Sequence, residues 1–269
     1  MYKPIHSDFI IHWTGKKDID DKDGSDELYI RRLKDILKYG LWMARDEKPE
    51  KLDINGRVLE KPLMVKTCFT ELKLSESRMH AEKYGRLGIG VKRYFLFDRL
   101  GSPMVYVQHE TQNLFFPPYS DWLVKSQEGK HLLCFFKHMC SSKDHPLVYD
   151  NYNESEWRIV YSESIRKLLL DEKREDVVSL FKDPKDPEDI ERHEYYKQLK
   201  GNKKPEYLLP LDPWLAIIIY PNLQVKKKSI EDTEIRKRLK EIANRSHVTG
   251  CPERTHPPIE LDLDACHNF

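Results

Sequence analysis

The chain has 269 residues, of which 39% are hydrophobic and 34% are charged. Its 46 lysines and arginines nearly balance 45 aspartates and glutamates, which gives a net charge of +1. A chain of this length forms one large domain, or one domain with appendages, around a buried core. The charge balance argues against capture of nucleic acid by overall charge.

The sequence carries no sign of export or membrane insertion. Its longest apolar run, residues 214–220, is typical of a buried strand and too short to span a bilayer. The N-terminal residues lack the apolar stretch of a signal peptide. Five scattered cysteines without a Cys-x-x-Cys pair are typical of a reduced compartment. We therefore expect a cytoplasmic protein that does not enter a membrane.

The first half of the chain predicts alternating strands and helices. Residues 9–14 predict a strand that carries His12 and Thr14 at its end. Apolar residues at helical spacing over 28–37 predict a helix, which Gly40 should terminate. Asn55-Gly56 indicates a turn or hairpin within a polar stretch. Further strands are predicted over residues 63–70, 87–91 and 104–107, and helical segments over 74–84 and 94–100.

The second half is more strongly charged. Residues 168–206 contain three prolines and predict helical insertions at the surface, while 214–220 and 259–263 predict strands flanking a helix over 230–243. This order predicts an α+β fold with a central mixed or antiparallel sheet and short helices packed on it. We divide the chain into a sheet core (1–165), a charged helical insertion (166–210) and a C-terminal strand–helix–strand (211–269) that completes the same domain.

Two glutamates one residue apart are the most informative local feature. They lie in the run 152–161, whose aromatic and β-branched residues predict a strand. Alternation would place Glu154, Glu156 and Arg158 on one face, with Trp157 in the core. Two carboxylates in register repel, so one pKa should rise. The face could hold a ribose, a cation or a proton, or it could be a solvated face on which Arg158 offsets the acids.

Several segments in order resemble the abortive phage resistance protein family of the AbiGi type, over roughly residues 8 to 245. They are His12-Trp13-Thr14, the helix ending at Gly40, Cys68-Phe69-Thr70-Glu71, His80-Ala81-Glu82-Lys83-Tyr84-Gly85, Gly88-Ile89-Gly90-Val91, Gly101-Ser102-Pro103-Met104-Val105-Tyr106 and Glu154-Ser155-Glu156-Trp157-Arg158. The resemblance implies a role in bacterial defence against phage.

A more distant resemblance concerns chemistry. A strand-borne histidine, a strand ending in a hydroxyl residue and a Glu-x-Glu strand are similar in order to ADP-ribosyltransferase-type toxins. That resemblance implies a split sheet and NAD as substrate. Carried over, His12 would hold the adenosine ribose or phosphates, Thr70 would order the pocket, and Glu156 or Glu154 would be the catalytic glutamate. The family's Ser-Thr-Ser motif is missing, and Cys68-Phe69-Thr70 is its approximate counterpart.

The chemistry of these residue types suits such a reaction. Cleavage of the nicotinamide–ribose bond builds an oxocarbenium-like centre, which a neighbouring carboxylate stabilises, and the partner glutamate could activate the acceptor. Thr14, Tyr84 and Arg158 complete the predicted nucleotide-binding set. The structural alternatives are a hydrogen-bonded His12 at a strand edge and a Thr70 that caps the following helix.

Metal and nucleic acid are not expected as ligands. Histidines and cysteines of the tail match no zinc-finger spacing; they are His247, Cys251, His256, Cys266 and His267. The basic clusters 226–228 and 236–238 have acidic residues beside them, which favours a solvated helix face over nucleic-acid contact.

Two functions stay open at this point. The first is an ADP-ribosyltransferase-like effector of phage defence that uses NAD. The second is a non-catalytic antitoxin or accessory partner of a nucleotidyltransferase-like toxin, a role described for families that resemble this chain. In that case residues 168–206 or 230–243 would be the docking surface for the cognate protein. A metal-dependent nuclease that uses the same glutamates is less favoured, because no further Asp or Lys stands close to them.

Overall fold

A computed structural model of the chain describes residues 9–16, 25–54, 57–71, 74–108, 122–123, 125–141, 149–200, 204–245 and 257–268. These residues form an α+β fold in which helices pack on a central mixed sheet, which confirms the predicted fold class. None of the helices in these ranges has the length and apolar character needed to span a bilayer.

The elements are numbered here in chain order. The strands are β1 (Phe9–Thr14), β2 (Leu41–Arg45), β3 (Lys51–Ile54), β4 (Arg57–Glu60), β5 (Val65–Thr70), β6 (Leu87–Lys92), β7 (Ser102–Pro103), β8 (Val105–Val107), β9 (Phe136–His138), β10 (Glu156–Tyr161), β11 (Tyr207–Leu209), β12 (Leu215–Tyr220) and β13 (Ile259–Asp262). The α-helices are α1 (Ser25–Tyr39), α2 (Ser77–Tyr84), α3 (Tyr94–Phe97), α4 (Gln127–Leu133), α5 (Glu163–Asp171), α6 (Glu175–Val178), α7 (Ile190–Gln198), α8 (Leu223–Glu231) and α9 (Thr233–Arg245).

Helix α1 shows why the sequence pattern predicted the fold well. Its buried face carries Leu33, Ile36 and Leu37 at helical spacing. Gly40 ends it with a left-handed φ of +101°, and its amide donates to the Ile36 carbonyl at 2.9 Å. A Cβ at Gly40 would lie only 2.2 Å from the carbonyl oxygen of Leu209, so this close approach of backbones requires glycine.

The main sheet has the strand order β11-β2-β5-β1-β6-β12-β13, with β10 on the edge of β5 and β7 beyond it. All of its pairs are antiparallel except β12 with β13. Two small sheets, β3–β4 and β8–β9, accompany it. The predicted hairpin is confirmed in β3 and β4, while its turn residues Asn55 and Gly56 lie outside the described part of the chain.

The sheet splits next to β5. β10 pairs with β5 along its full length, from Glu156 opposite Thr70 to Tyr161 opposite Val65. A strand has only two hydrogen-bonding edges. The other edge is therefore shared by β2, which pairs near Lys66, and β1, which pairs only at Thr70. We call the gap between β1 and β2 the fork.

The two faces of β10 have different surroundings. Trp157, Ile159 and Tyr161 belong to the main hydrophobic core, as predicted for Trp157, together with Phe69 of β5. The intervening residues Glu156 and Arg158 project from the opposite face. Helix α1 packs against α8 and α9 over the core side. The functional question therefore concerns the polar face of β10 and the neighbouring fork.

The charged segment after β10 forms α5 to α7, as predicted, and it also reaches the core. Leu169, Val177 and Phe181 are buried members of the main cluster. The sequence pattern did not predict the short strands β2, β7, β9 and β11, nor helix α8, which precedes the predicted helix of residues 230–243.

Candidate functional site

The two glutamates lie at a bend. β10 begins at Glu156, while Tyr152–Glu154 forms a 3-10 turn. Ser155 between them is left-handed, with a φ of +44°. The prediction of one strand through both glutamates is therefore wrong, because the left-handed residue interrupts the alternation just before β10 starts.

Lys137 nevertheless brings the two carboxylates together. Its Nζ lies 2.8 Å from Glu154 Oε2 and 2.8 Å from Glu156 Oε2. Lys137 lies on β9 opposite Tyr106 of β8, and the Tyr106 hydroxyl accepts a 2.8 Å hydrogen bond from the Glu156 amide. The small β8–β9 sheet therefore holds the bend in place.

Each glutamate has a second cationic partner. Arg158 Nε donates to Glu156 Oε1 at 2.6 Å, which confirms the predicted pairing of Arg158 with one of the acids. Lys83 of α2 pairs with Glu154. Both glutamates are only 4% exposed. The alternative of a solvated strand face is therefore wrong, and the acids belong to a buried ion-pair network.

The predicted rise of one carboxyl pKa is also wrong. Burial alone would raise the pKa of Glu156, but the charges of Arg158 and Lys137 outweigh it and lower the pKa to about 2. At Glu154 burial again acts upward, and hydrogen bonds from Lys137 and Lys83 bring the pKa below its ordinary value. Both groups are therefore ionised at neutral pH, because Lys137, which had no place in the sequence argument, separates the two charges.

The fork opens into a cavity of about 390 Å³, which lies within the roughly 300–1,000 Å³ of small-molecule sites. β1, β2, β5 and β10 all contribute to its wall. Six of the predicted site residues line it; they are His12, Thr70, Tyr84, Glu154, Glu156 and Arg158. We call it the fork cavity. Thr14 is not among its lining residues.

His12 closes the open edge of β5. Its Nδ1 donates to the Cys68 carbonyl at 2.9 Å. The Glu71 amide donates to the Ser155 carbonyl on the β10 side of β5. Backbone groups of successive residues point to alternate edges of a strand, so those of Cys68, three residues earlier, point to the other edge and into the fork. Burial lowers the pKa of His12, so the ring is neutral at pH 7 and its Nε2 is an acceptor. The alternative of a hydrogen-bonded histidine at a strand edge therefore matches the contact between His12 and Cys68.

The pairing register separates His12 from the glutamates. Ile11 lies opposite Thr70, and Thr70 lies opposite Glu156, so these three side chains share a face of the sheet. His12 follows Ile11 and lies on the other face, where its ring contacts Phe69 at 5.7 Å. His12 and Glu156 border the same cavity because the fork passes through the sheet.

Thr70 and Tyr84 each have a defined partner. The Thr70 hydroxyl donates to the Ile11 carbonyl at 3.3 Å, so it joins β5 to β1 at the base of the fork and does not cap a helix. Burial and a hydrogen bond to Glu154 raise the pKa of Tyr84, which keeps its phenol protonated as a donor. Tyr84 therefore presents a donor beside the glutamate pair.

Sequence reasoning missed the residues at the β2 end of the fork cavity. Glu50 lies 2.5 Å from Lys61 and 3.3 Å from Arg158, and it also pairs with Lys66. Lys66 had a usable signal, since it alternates with Thr70 along β5 and therefore shares its face. Glu50 and Lys61 come from irregular segments, where no periodicity indicates which way a side chain points.

A larger cavity of about 1030 Å³ lies elsewhere, over α5 to α7. It is lined by residues between Tyr161 and Tyr207 that are mostly acidic or basic, and by none of the predicted site residues. Size alone does not make it the better candidate, because the fork cavity combines buried ionised groups with hydrogen-bonding side chains from four strands.

The basic clusters near the C-terminal helices are paired with acids. Arg236 binds Glu260 at 2.6 and 2.7 Å, and Lys228 lies 2.6 Å from Glu27. Arg238 lies 2.9 Å from Asp212. These basic side chains are therefore engaged within the fold by acids from other segments, whereas the sequence favoured a solvated helix face.

We expect the free energy of unfolding to fall at acid pH because Glu156 loses its charge there. The pKa of Glu156 is about 2 in the folded chain against an ordinary value of 4.5, so its stabilising effect is complete above pH 4.5 and lost as pH falls through 2. Urea unfolding of the wild type and Glu156→Gln should therefore differ most above pH 5 and converge towards pH 2. A constant difference over this range would contradict the assignment.

The described residues contain no group of three or more His, Cys, Asp or Glu side chains that could hold a metal ion. The tail residues His247, Cys251 and His256 lie outside those residues. No protein family model matches this chain, and no curated protein or solved structure is significantly similar to it. The function proposed below therefore depends on the geometry of the fork cavity and on the two resemblances.

Proposed function

We propose that the chain binds NAD in the fork cavity and cleaves its nicotinamide–ribose bond, as a cytoplasmic ADP-ribosyltransferase-like effector of phage defence. One observation carries the proposal. Six residues chosen by their order in the sequence, from His12 on β1 to Arg158 on β10, border one cavity at a split in the sheet. The setting in phage defence comes from the resemblance to the AbiGi type.

The reaction needs a negative charge beside the ribose carbon. When the bond from C1′ to the nicotinamide nitrogen breaks, both electrons leave with nicotinamide and C1′ becomes positively charged. Glu154 and Glu156 are buried and ionised, so they can stabilise that charge in a site of low dielectric. Water or an acceptor then bonds to C1′ and loses a proton to solvent, because the lowered pKa values of Glu154 and Glu156 make both carboxylates weak bases.

Lys137 marks the position at which the two acids hold a cation. Its ammonium is 2.8 Å from both carboxylates, and the side chain is 20% exposed at the cavity. In the proposed complex the ribose carbon C1′, which becomes positively charged as the bond breaks, takes the place of that ammonium beside the carboxylates.

The test is release of nicotinamide from NAD by the purified protein, followed by chromatography. The wild type should release it, and Glu154→Gln and Glu156→Gln should each reduce the rate by about 100-fold or more, the scale for removing one electrostatic stabiliser. Glu194→Gln, which alters an exposed pair with Lys197, should match the wild type. Equal rates of nicotinamide release by the wild type and Glu156→Gln would contradict the proposal.

A second candidate is the non-catalytic partner of a nucleotidyltransferase-like toxin. The observation that favours it is the pairing of each glutamate with two cations, which is also how a purely structural network is satisfied. Co-expression with the products of neighbouring genes tests this role. A stable complex with such a toxin, combined with no nicotinamide release, would favour it over the enzyme.

A further inference from the structure

Three cations surround one carboxylate at the β2 end of the fork cavity. Glu50 lies 2.5 Å from Lys61 Nζ and 3.3 Å from Arg158 Nη1, and it also pairs with Lys66. The three cationic side chains are largely buried, with 5% exposed for Lys61 and Arg158 and 15% for Lys66. The Glu50 side chain is 34% exposed, more than any of the three cations, so it is the member best able to move.

The ion pairs that connect this cluster to the glutamates are balanced in the free chain by Glu50. Lys61, Lys66, Lys137 and Arg158 are the buried cations, and they pair with Asp46, Glu50, Glu154 and Glu156, while Lys83 is half exposed. Three of the buried cations share Glu50, so moving Glu50 away leaves them short of a counter-charge, which is costly. An anion bound in place of the Glu50 carboxylate would restore that counter-charge.

Two of the three cations can be reached from the cavity, and Lys61, which does not line it, lies behind Glu50. Lys66 and Arg158 line the cavity together with Glu50. Arg158 lies opposite Cys68, and Lys66 is two residues from Cys68, so both project from the sheet face that carries Glu156. Guanidinium and ammonium groups on one wall are the usual partners of phosphate oxygens.

We propose that Lys61, Lys66 and Arg158 form an anion site for a phosphate group of a nucleotide, and that the Glu50 carboxylate occupies this site in the free chain. The inference rests on the proposed function in one respect, since it places the diphosphate of NAD at the β2 end of the fork cavity and the nicotinamide ribose at Glu154 and Glu156. Phosphate binding displaces Glu50 towards solvent.

The test measures ADP, adenosine and pyrophosphate binding to the full chain by titration calorimetry at low salt. ADP should bind at least about tenfold more tightly than adenosine, the scale of one hydrogen bond to a charged group. Glu50→Gln should tighten ADP binding about tenfold and Lys66→Met should weaken it about tenfold. Lys197→Met, which removes a lysine from an exposed pair, should change nothing.

Glu50→Gln removes a negative charge from the cluster and Lys66→Met removes a positive charge, so a loss of the fold can be told apart from a loss of the anion site. A general loss of the fold would weaken ADP binding in both, whereas the anion site predicts shifts in opposite directions. Equal binding of ADP and adenosine, or weaker binding by Glu50→Gln, would overturn the proposal. Pyrophosphate binding as tight as ADP binding would overturn the nucleotide assignment.

Failure here is distinguishable from failure of the NAD reaction. If ADP binding shifts as predicted and nicotinamide is not released, the anion site stands and the catalytic proposal fails. If nicotinamide is released while neither substitution alters ADP binding, catalysis stands and the anion site is wrong.

Discussion

Replacing Glu156 by glutamine should lower the free energy of unfolding by about 3–5 kcal/mol at pH 7, the usual cost of removing one partner from a buried ion pair. Glu156 is 4% exposed and joins Arg158 to Lys137, so the substitution leaves both cations short of a counter-charge. Urea unfolding of the wild type and the variant gives the difference directly.

Glu194→Gln is the matched control for this substitution. It also exchanges a carboxylate for an amide, but in a pair with Lys197 whose side chains are more than half exposed. Exposed pairs contribute little, so the control should unfold like the wild type. A Glu156 variant that is no less stable than the control would mean that the network does not hold the bend.

Replacing Lys137 by methionine should cost about 3 kcal/mol at pH 7, and the cost should fall as the pH is lowered. Without the ammonium, Glu154 and Glu156 face each other directly, and the folded pKa of one of them should rise above its ordinary value. A group with a raised pKa favours the folded state at low pH, because the folded chain then binds a proton more tightly than the unfolded chain does.

The measurement is the unfolding free energy of the wild type and Lys137→Met at pH 7 and at pH 4. Lys83→Met is the control, since Lys83 contacts only one of the glutamates and half of its side chain is exposed. It should cost far less than Lys137→Met at pH 7. A Lys137→Met deficit that is the same at both pH values would show that the carboxylates do not interact.

Side-chain hydrogen bonds make the split sheet possible. An open strand edge exposes backbone groups that need partners. His12 donates to the Cys68 carbonyl, the Thr67 hydroxyl donates to the Trp42 carbonyl at 2.8 Å, and the Thr70 hydroxyl donates to the Ile11 carbonyl. These contacts bridge β5 to β1 and β2 where the ladders stop, and they leave room for the fork cavity between them.

The grouping of His12, Thr70 and the glutamates was expected from the resemblance to ADP-ribosyltransferase-type toxins, and Thr70 and Glu156 lie at the ends of strands that the sequence pattern indicated. The bend at Ser155 could not be predicted, since a left-handed serine leaves no periodic signal. The position of Lys137 could not be predicted either, because β9 is only three residues long and its place depends on pairing with β8.

The pKa shift of the glutamates was predicted in the wrong direction because Lys137 was missed. Spacing alone showed two like charges on one side of a strand, with Arg158 as the sole cation in view. Long-range partners such as Lys83 and Lys137 reverse the result. Local sequence therefore indicated residues that line one cavity but not the charges that surround them.

A crystal structure of the chain grown with ADP-ribose is the most direct test of a nucleotide site in the fork. We predict ADP-ribose between β1 and β2, with its terminal ribose within hydrogen-bonding distance of Glu154 or Glu156. Its diphosphate should lie against Lys66 and Arg158. A ligand bound elsewhere, or a fork that is empty at saturating ADP-ribose, would contradict the assignment.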